Sequence, residues 1–345
     1  MIFATLPVRE AIGTLSVHSL KAPGIVLKKG ASIGEREVAA LVAAGIDEIV
    51  AVRLEPGDVG EDAAAARLAQ AAAGEGLRAD APFTGRVNLF AQAAGILRVD
   101  VDAIDRINGV DEAITIATLP DFKPVVAGEM VATVKIIPYA VPKACLGAAI
   151  DAARGGGIAV APYRRARVGV VSTLLPALKP TIVDKTLRVL DARLAPAGAR
   201  IVDDLRTPHA PGALADALRR LAASDAELIV VFGASAIADR RDVIPAAIEA
   251  AGGHVMHFGM PVDPGNLLLV GEIAGRPVIG APGCARSPKE NGFDWVLHRL
   301  LADVPVTRAD IVRMGVGGLL MEIVSRPQPR SGEPSTGPDT AEDEA

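Results

Sequence analysis

The sequence predicts an α/β protein: a three-layer α/β/α sandwich around a mainly parallel sheet in its second half, preceded by a smaller α+β domain. Three observations predict it. Beyond residue 167, apolar runs of strand length alternate with helix-length amphipathic stretches, the pattern of a sheet covered on both faces. The chain has 345 residues, more than one ordinary core takes up. Half of the residues are hydrophobic while only 3% are aromatic, so the core must be built from Ala, Val, Leu and Ile, the side chains that fill buried parallel sheets. The expected boundaries are an N-terminal domain over 1–160, an α/β domain over 167–325, and a disordered acidic tail over 326–345. That tail combines Pro, Gly, Ser and Thr with five acidic and two basic residues and has little to bury.

Composition also excludes functions. The net charge is −5, and no polybasic surface interleaved with aromatic rings is present to hold nucleic acid. No apolar run approaches the ~20 residues of a membrane span. The first residues, MIFATLPVREAIG, do not read as a signal peptide, and two cysteines, Cys145 and Cys284, make no disulfide framework in so long a chain. A cytoplasmic protein is the expectation.

In the first half, Ser32 and Glu35 have the spacing of a capping box for a helix to Ala44. A strand over Ile46–Val52 and an alanine-rich helix from Glu61 to Ala73 follow. A strand is expected at Ile96–Val99, and Val125–Ile137 reads as two strands joined across Gly128-Glu129. After the glycine and arginine-rich stretch 154–167, strands are expected at Val168–Ser172, Arg200–Val202, Leu228–Phe232 and His254–Phe258, with helices over Asp184–Leu194, Gly212–Ala222 and Asp242–Ala251. Leu267–Gly271 and Pro277–Ile279 read as an antiparallel pair turned at Ala274-Gly275.

Open parallel sheets bind ligands at the carboxyl ends of their strands, so the segments following those ends carry the candidate chemistry. Gly233-Ala234-Ser235-Ala236 lacks bulky side chains, and its backbone N–H groups, next to a helix start, can approach a phosphate closely. The plainer alternative is a tight strand-to-helix turn. Two further loops, around Pro264-Gly265 and Pro282-Gly283, combine a fixed φ with a permissive one and can wall a ligand. Arg286, Lys289 and Asn291 would supply donors to an acidic ligand there.

These residues carry a resemblance. Arg167 to Leu301 resembles the molybdopterin-binding domain shared by molybdopterin adenylyltransferases, molybdopterin molybdenumtransferases and gephyrin, through VGVVST, VVFGASAIADRRDVIP, HFGMPVDPGN and GRPVIGAPG in that order. Gly24 to Val59 is similar, more faintly, to the segment preceding that domain in the molybdenumtransferases. The resemblance implies a role in molybdenum cofactor biosynthesis or maturation. Molybdopterin, or its nucleotide or molybdate-loaded form, would be held by Ser172, Thr173, Gly233 to Ala236, Pro264, Gly265, Pro282, Gly283, Lys289 and Asn291. It also implies self-association. Similar bacterial proteins fuse such a region to a nucleotidyltransferase, so that enzyme or a molybdoenzyme is the implied protein partner. The sequence is compatible with a stand-alone chain and with a shortened one.

The chain departs from the family at the loop after the first strand. Ser172-Thr173-Leu174-Leu175-Pro176 stands where relatives carry an acidic loop, and Gly233-Ala234-Ser235-Ala236 keeps one glycine and one hydroxyl. Asp239 and Asp242 remain as catalytic candidates, with Asp242 best placed to hold the Mg2+ that molybdate or adenylyl transfer requires. Both could equally be helix-start charges. Molybdopterin binding without chemistry is therefore the leading reading. Transferase activity, nucleotide pyrophosphatase activity and a non-catalytic assembly module are its alternatives. Cys284 is a candidate thiol or a small buried hydrophobe, Cys145 and Trp295 are expected in packing, and His254 and His257, three apart on a strand, face opposite sides and form no metal pair.

Overall fold

The computed structural model describes residues 1–176 and 180–320, so the expected tail over 326–345 lies outside the described residues. The chain divides into two compact units. One comprises residues 1–166 with 196–198 and 301–304; among the described residues the other comprises 167–176, 180–195, 199–300 and 305–320.

The first unit is α+β with short elements. A four-stranded sheet takes the order Ile2–Pro7, Glu48–Arg53, Thr14–Ser16, Ser32–Ile33, and one apolar cluster including Val8, Ile33, Leu41 and Ala51 fills the space between it and the helix Glu35–Ala43. Ser32 does not cap that helix. It pairs with Leu15 as a strand residue, and the cap moves to Gly34, whose N–H donates to Glu37 Oε2 at 3.0 Å. A larger cluster, including Leu68, Leu89, Ile107 and Val134, lies under the helix Glu61–Ala72. Pro124–Val125 and Met130–Ile136 do form on either side of Gly128-Glu129, but they are not partners. The first pairs with Gly95–Val99, the second with Ile114–Thr118 and Arg86–Ala91.

The second unit contains the strands β1 (Arg167–Leu174), β2 (Arg200–Pro208), β3 (Leu228–Phe232), β4 (His254–Phe258), β5 (Leu269–Ile273) and β6 (Arg276–Ala281). Its helices are α1 (Pro180–Leu194), α2 (Pro211–Ala223), α3 (Val243–Ala250), α4 (Gly292–Leu301) and α5 (Arg308–Arg313). The sheet order is β2-β1-β3-β6-β5-β4. Pairings β2-β1, β1-β3 and β3-β6 are parallel, while β6-β5 and β5-β4 are antiparallel. β5 and β6 are joined at Ala274 and Gly275, both at positive φ, the backbone a two-residue hairpin with the sheet's own twist requires.

Burial explains this order. Every residue of β3, Leu-Ile-Val-Val-Phe, is buried, as a central strand covered on both faces must be. The edge strands β2 and β4 are mixed in burial and richer in polar residues, which keeps exposed strand edges from pairing with other chains. On one face, Val171, Ile229, Val231 and Val278 pack with Leu214, Leu218 and Leu221 of α2 and with Ile244 and Ile248 of α3. On the other, Phe232 meets Phe293 of α4 with ring centroids 6.4 Å apart, and α1 lies alongside through Arg193 over the Phe293 ring. The result is helices on both faces of a mainly parallel sheet. β2 continues six residues beyond the expected Arg200–Val202, because its last residues, DLRTP among them, pair with β1 without being apolar.

Trp295, the only tryptophan, lies on α4 and reports on this unit by its fluorescence. Ile229→Ala, which empties a fully buried site between β3 and α2, is expected to cost about 3 kcal/mol in urea unfolding followed at Trp295. Val316→Ala, at a residue 98% exposed, is expected to cost less than about 0.5 kcal/mol. Equal effects would contradict the assigned core.

Candidate functional site

Because β1, β2, β3 and β6 are mutually parallel, their carboxyl ends share one edge of the sheet. β4 is antiparallel to β5, itself antiparallel to β6, so β4 ends at that edge too. The segments after β1, β2, β3, β4 and β6 therefore gather where α/β sheets hold ligands.

Three neighbouring strand ends are joined by a chain of polar groups. The Thr173 hydroxyl, on a residue 1% exposed, accepts the Ala234 N–H at 2.8 Å and lies 2.8 Å from His209 Nδ1. The other ring nitrogen, Nε2, is 2.9 Å from Ser235 Oγ. For a neutral imidazole, the tautomer that uses every proton has Thr173 donating to Nδ1 and Nε2–H donating to Ser235 Oγ. The Ser235 proton is then left to point away from the protein. Ser235 and Ala236 are exposed, and their N–H groups have no partner among the described residues. Ser172, one position before Thr173 and so directed to the opposite face of β1, keeps a buried hydroxyl without a partner among the described residues.

Gly233 begins this loop because nothing larger fits: an added Cβ would stand 2.6 Å from Ser235 O and 3.0 Å from Ile244 Cδ1. At its other end Asp242 is the N-cap of α3. Its Oδ1 accepts Val243 N–H at 2.8 Å and its Oδ2 accepts Ala238 N–H at 3.1 Å. The carboxylate thus already occupies the positive end of the helix, and the exposed residues Ser235 and Ala236 lie back along the loop. Asp239 is exposed and pairs with Arg241, whose guanidinium holds the Asp239 carboxyl below its ordinary range. Among the described residues no group of three acidic, histidine or cysteine side chains could hold a metal ion. With the Asp242 oxygens committed to backbone and Asp239 to Arg241, these residues do not offer a fitting ligand set for Mg2+.

The loop after β6 is held by two arginines. Arg193, its side chain 8% exposed, pairs with Asp294 and donates to the carbonyls of Ala285, Ser287 and Lys289 at 2.8, 2.7 and 3.1 Å. Arg286 donates to Gly233 O at 2.8 Å and to Thr186 Oγ1 at 2.9 Å, and stacks 5.4 Å from the Phe232 ring centroid. Its terminal nitrogens are thereby engaged in linking the loop after β6 to the loop after β3 and to α1. Asn291, 1% exposed, donates to Lys289 O and accepts Phe293 N–H, so it braces its own loop. Lys289 is exposed at the rim. Pro264 O accepts Gly292 N–H at 2.9 Å, and a Cβ on Gly265 would stand 2.9 Å from Gly292 Cα. The Pro264-Gly265 loop therefore abuts the start of α4, next to the loop of Pro282 and Gly283.

Of the residues singled out from sequence, Thr173, Ala234 and Ser235 come together through His209, and Gly233 joins the Pro282-Gly283 loop through Arg286. Lys289 and Asp239 make no contact with that chain. Burial pushes the Cys284 thiol up, against a reactive thiolate at neutral pH. Cys145 packs in the first unit. Trp295 is half-buried, with Nε1 donating to Glu290; Phe293 fills the interior in its stead. His209 and Arg193 were missed, because their importance comes from the spatial order of the strands and from long-range packing. The one local signal for His209 is its position immediately beyond a strand end.

Residues 169–303 match the family model described as a probable molybdopterin binding domain, the family the four sequence segments resemble. No curated protein matches the chain. Among solved structures, a molybdopterin biosynthesis moeA protein from Pyrococcus horikoshii is similar at 14% identity and a TM-score of 0.32, over 87% of this chain and 75% of that one. A molybdenum cofactor biosynthesis protein B is similar at 14% identity and a TM-score of 0.31, over 41% of this chain and 95% of that one.

Arg193→Ala leaves Asp294 and three carbonyls without their cation and is expected to destabilise the unit by about 3 kcal/mol or more in the Trp295 unfolding assay; a loss below about 1 kcal/mol would contradict its role. Stability should also fall in mild acid. Burial of His298 lowers its pKa from the ordinary 6.5, as burial does, less deeply, for His257. The unfolded chain therefore takes up protons that the folded one resists, so this stabilisation is present above about pH 6.5 and is lost as pH falls through the folded pKa. His298→Leu should flatten the decline between about pH 7 and 5; an unchanged slope would assign it elsewhere.

Proposed function

Taking residues 169–303 as a probable molybdopterin binding domain, we propose that the protein binds molybdopterin, or its nucleotide or molybdate-loaded form, in molybdenum cofactor biosynthesis. The observation that carries this reading is the Thr173–His209–Ser235 chain at the carboxyl ends of three adjacent parallel strands. It fixes Ser235 beside two exposed backbone N–H groups, those of Ser235 and Ala236, that have no partner among the described residues. The terminal phosphate accepts from Ser235 Oγ and from the N–H groups of Ser235 and Ala236, donors that suit a compact anion. Thr173 and His209 act behind them, holding Ser235 and the Ala234 peptide in place, so that little ordering is left to be done when the ligand arrives. Ser172 stays buried on the other face of β1 and does not reach the phosphate, and Lys289 adds an exposed charge at the rim. The pterin lies along the walls at Pro264-Gly265, held by Gly292 N–H, and at Pro282-Gly283, in the loop that two arginines hold.

In this reading Asp242 shapes the loop by capping α3. It separates the proposal from adenylyl or molybdate transfer through a magnesium ion. If Asp242 only positions the loop, Asp242→Ala weakens pterin binding. If it holds a metal in a transferase, the same substitution abolishes turnover and spares affinity.

Titration of the purified protein with molybdopterin, followed by fluorescence, tests binding directly. Ser235→Ala is expected to weaken it about tenfold, the loss of one hydrogen bond to a charged group, and His209→Ala by a similar factor. Absence of saturable binding, or full affinity in both variants, would overturn the proposal.

A further inference from the structure

The first unit holds a cavity of about 340 Å³ that the pterin reading does not use. That volume falls within the range of small-molecule sites. Its walls come from four separate stretches of chain: Lys29 and Gly30, Glu61, Thr84, and Lys135 with Ile137 to Tyr139.

The charged groups are fixed by the fold. Glu61 is the first residue of the helix Glu61–Ala72, and its own N–H is held by Tyr139 O. Lys135 donates to Thr84 O and stands 3.6 Å from Glu61 Oε2. Gly85 makes room for this pair: it lies at φ +69°, and a Cβ there would sit 2.5 Å from Glu61 Oε2 and 2.9 Å from Lys135 Nζ. Lys29 has no ion-pair partner among the described residues; its ammonium lies 5.8 Å from the centroid of the Tyr139 ring. The Tyr139 hydroxyl donates to Val17 O at 2.9 Å, which fixes the ring that lines the cavity. Two ammonium groups and one carboxylate line the cavity, so its lining carries an excess of positive charge; the Asp62 carboxylate stands close behind, accepting Gly85 N–H. Burial and the Asp62 charge push the Glu61 carboxyl up, while Lys135 and, less strongly, Lys29 pull it down.

The geometry points to this cavity as a binding site for a small organic phosphomonoester, its phosphate between Lys29 and Lys135 and its organic part against Tyr139 and Pro138. Lysines present point charges without the planar fork that pairs with a flat carboxylate, which favours a tetrahedral dianion. The Glu61 carboxylate opposes that charge and sets how tightly it binds.

Calorimetric titration of the full chain with phenyl phosphate, with benzoate in parallel, tests the assignment. Saturable binding of phenyl phosphate is expected, about tenfold tighter than benzoate. Lys29→Ala, at an exposed residue, should weaken it about tenfold, and Glu61→Gln should tighten it by removing the like charge. No saturable binding, equal affinity for benzoate, indifference to Lys29→Ala, or weaker binding in the Glu61→Gln protein would each overturn the proposal. Because no pterin is used and no residue of the second unit is altered, failure here leaves the molybdopterin reading standing, and the reverse also holds.

Discussion

The loops of the second unit depend on two arginines whose charge is taken out of water and spent on backbone carbonyls. Each guanidinium offers five donors in a rigid fork, enough to satisfy several carbonyls that a loop would otherwise present unpaired. Arg193 holds the turn after β6 to α1 and α4 through Asp294, Ala285, Ser287 and Lys289. Arg286 carries the constraint onward from that turn to Gly233, at the mouth of the loop after β3. Loops without regular structure thereby acquire the rigidity of the helices behind them. Preorganisation of this kind lets a few weak donors bind an anion well, since little conformational entropy remains to be lost.

At the strand ends the same logic operates without a charge. Thr173, His209 and Ser235 come from three different connections, and only the order β2-β1-β3 makes them neighbours. His209 bridges two hydroxyls, and whichever tautomer it adopts decides whether Ser235 donates outward or accepts. Asp242 completes the arrangement by occupying the start of α3. A carboxylate at that position stabilises the helix and repels an anion from its end, which directs any bound phosphate toward Ser235 and Ala236. At the end of β1 itself, the Thr173 hydroxyl serves as an internal acceptor for Ala234 N–H.

Much of the fold was legible in the sequence because burial writes it there. The unbroken apolar run Leu228–Phe232 is a strand with the same limits in the structure, and Ala274-Gly275 marks its hairpin because two consecutive positive φ angles are needed. Legibility ended where pairing replaces burial. The polar second half of β2 is a strand only because β1 lies beside it. Ser32 carries the residue type and spacing of a cap, yet Thr14 and Leu15 draw its segment into a sheet. The glycines and hydroxyls of the candidate site could be named from strand-end position alone. His209 and Arg193 could not, since neither the strand order nor a partner some hundred residues away is written locally.

The central claim is that the backbone just beyond β3 receives the ligand's negative charge. Amide hydrogen exchange, followed residue by residue with and without molybdopterin, measures this most directly. Protection is expected first at the amides of Ser235 and Ala236, extending to the loop of Pro282 and Gly283. Exchange at Ser235 and Ala236 that stays unchanged while the pterin is demonstrably bound would contradict it.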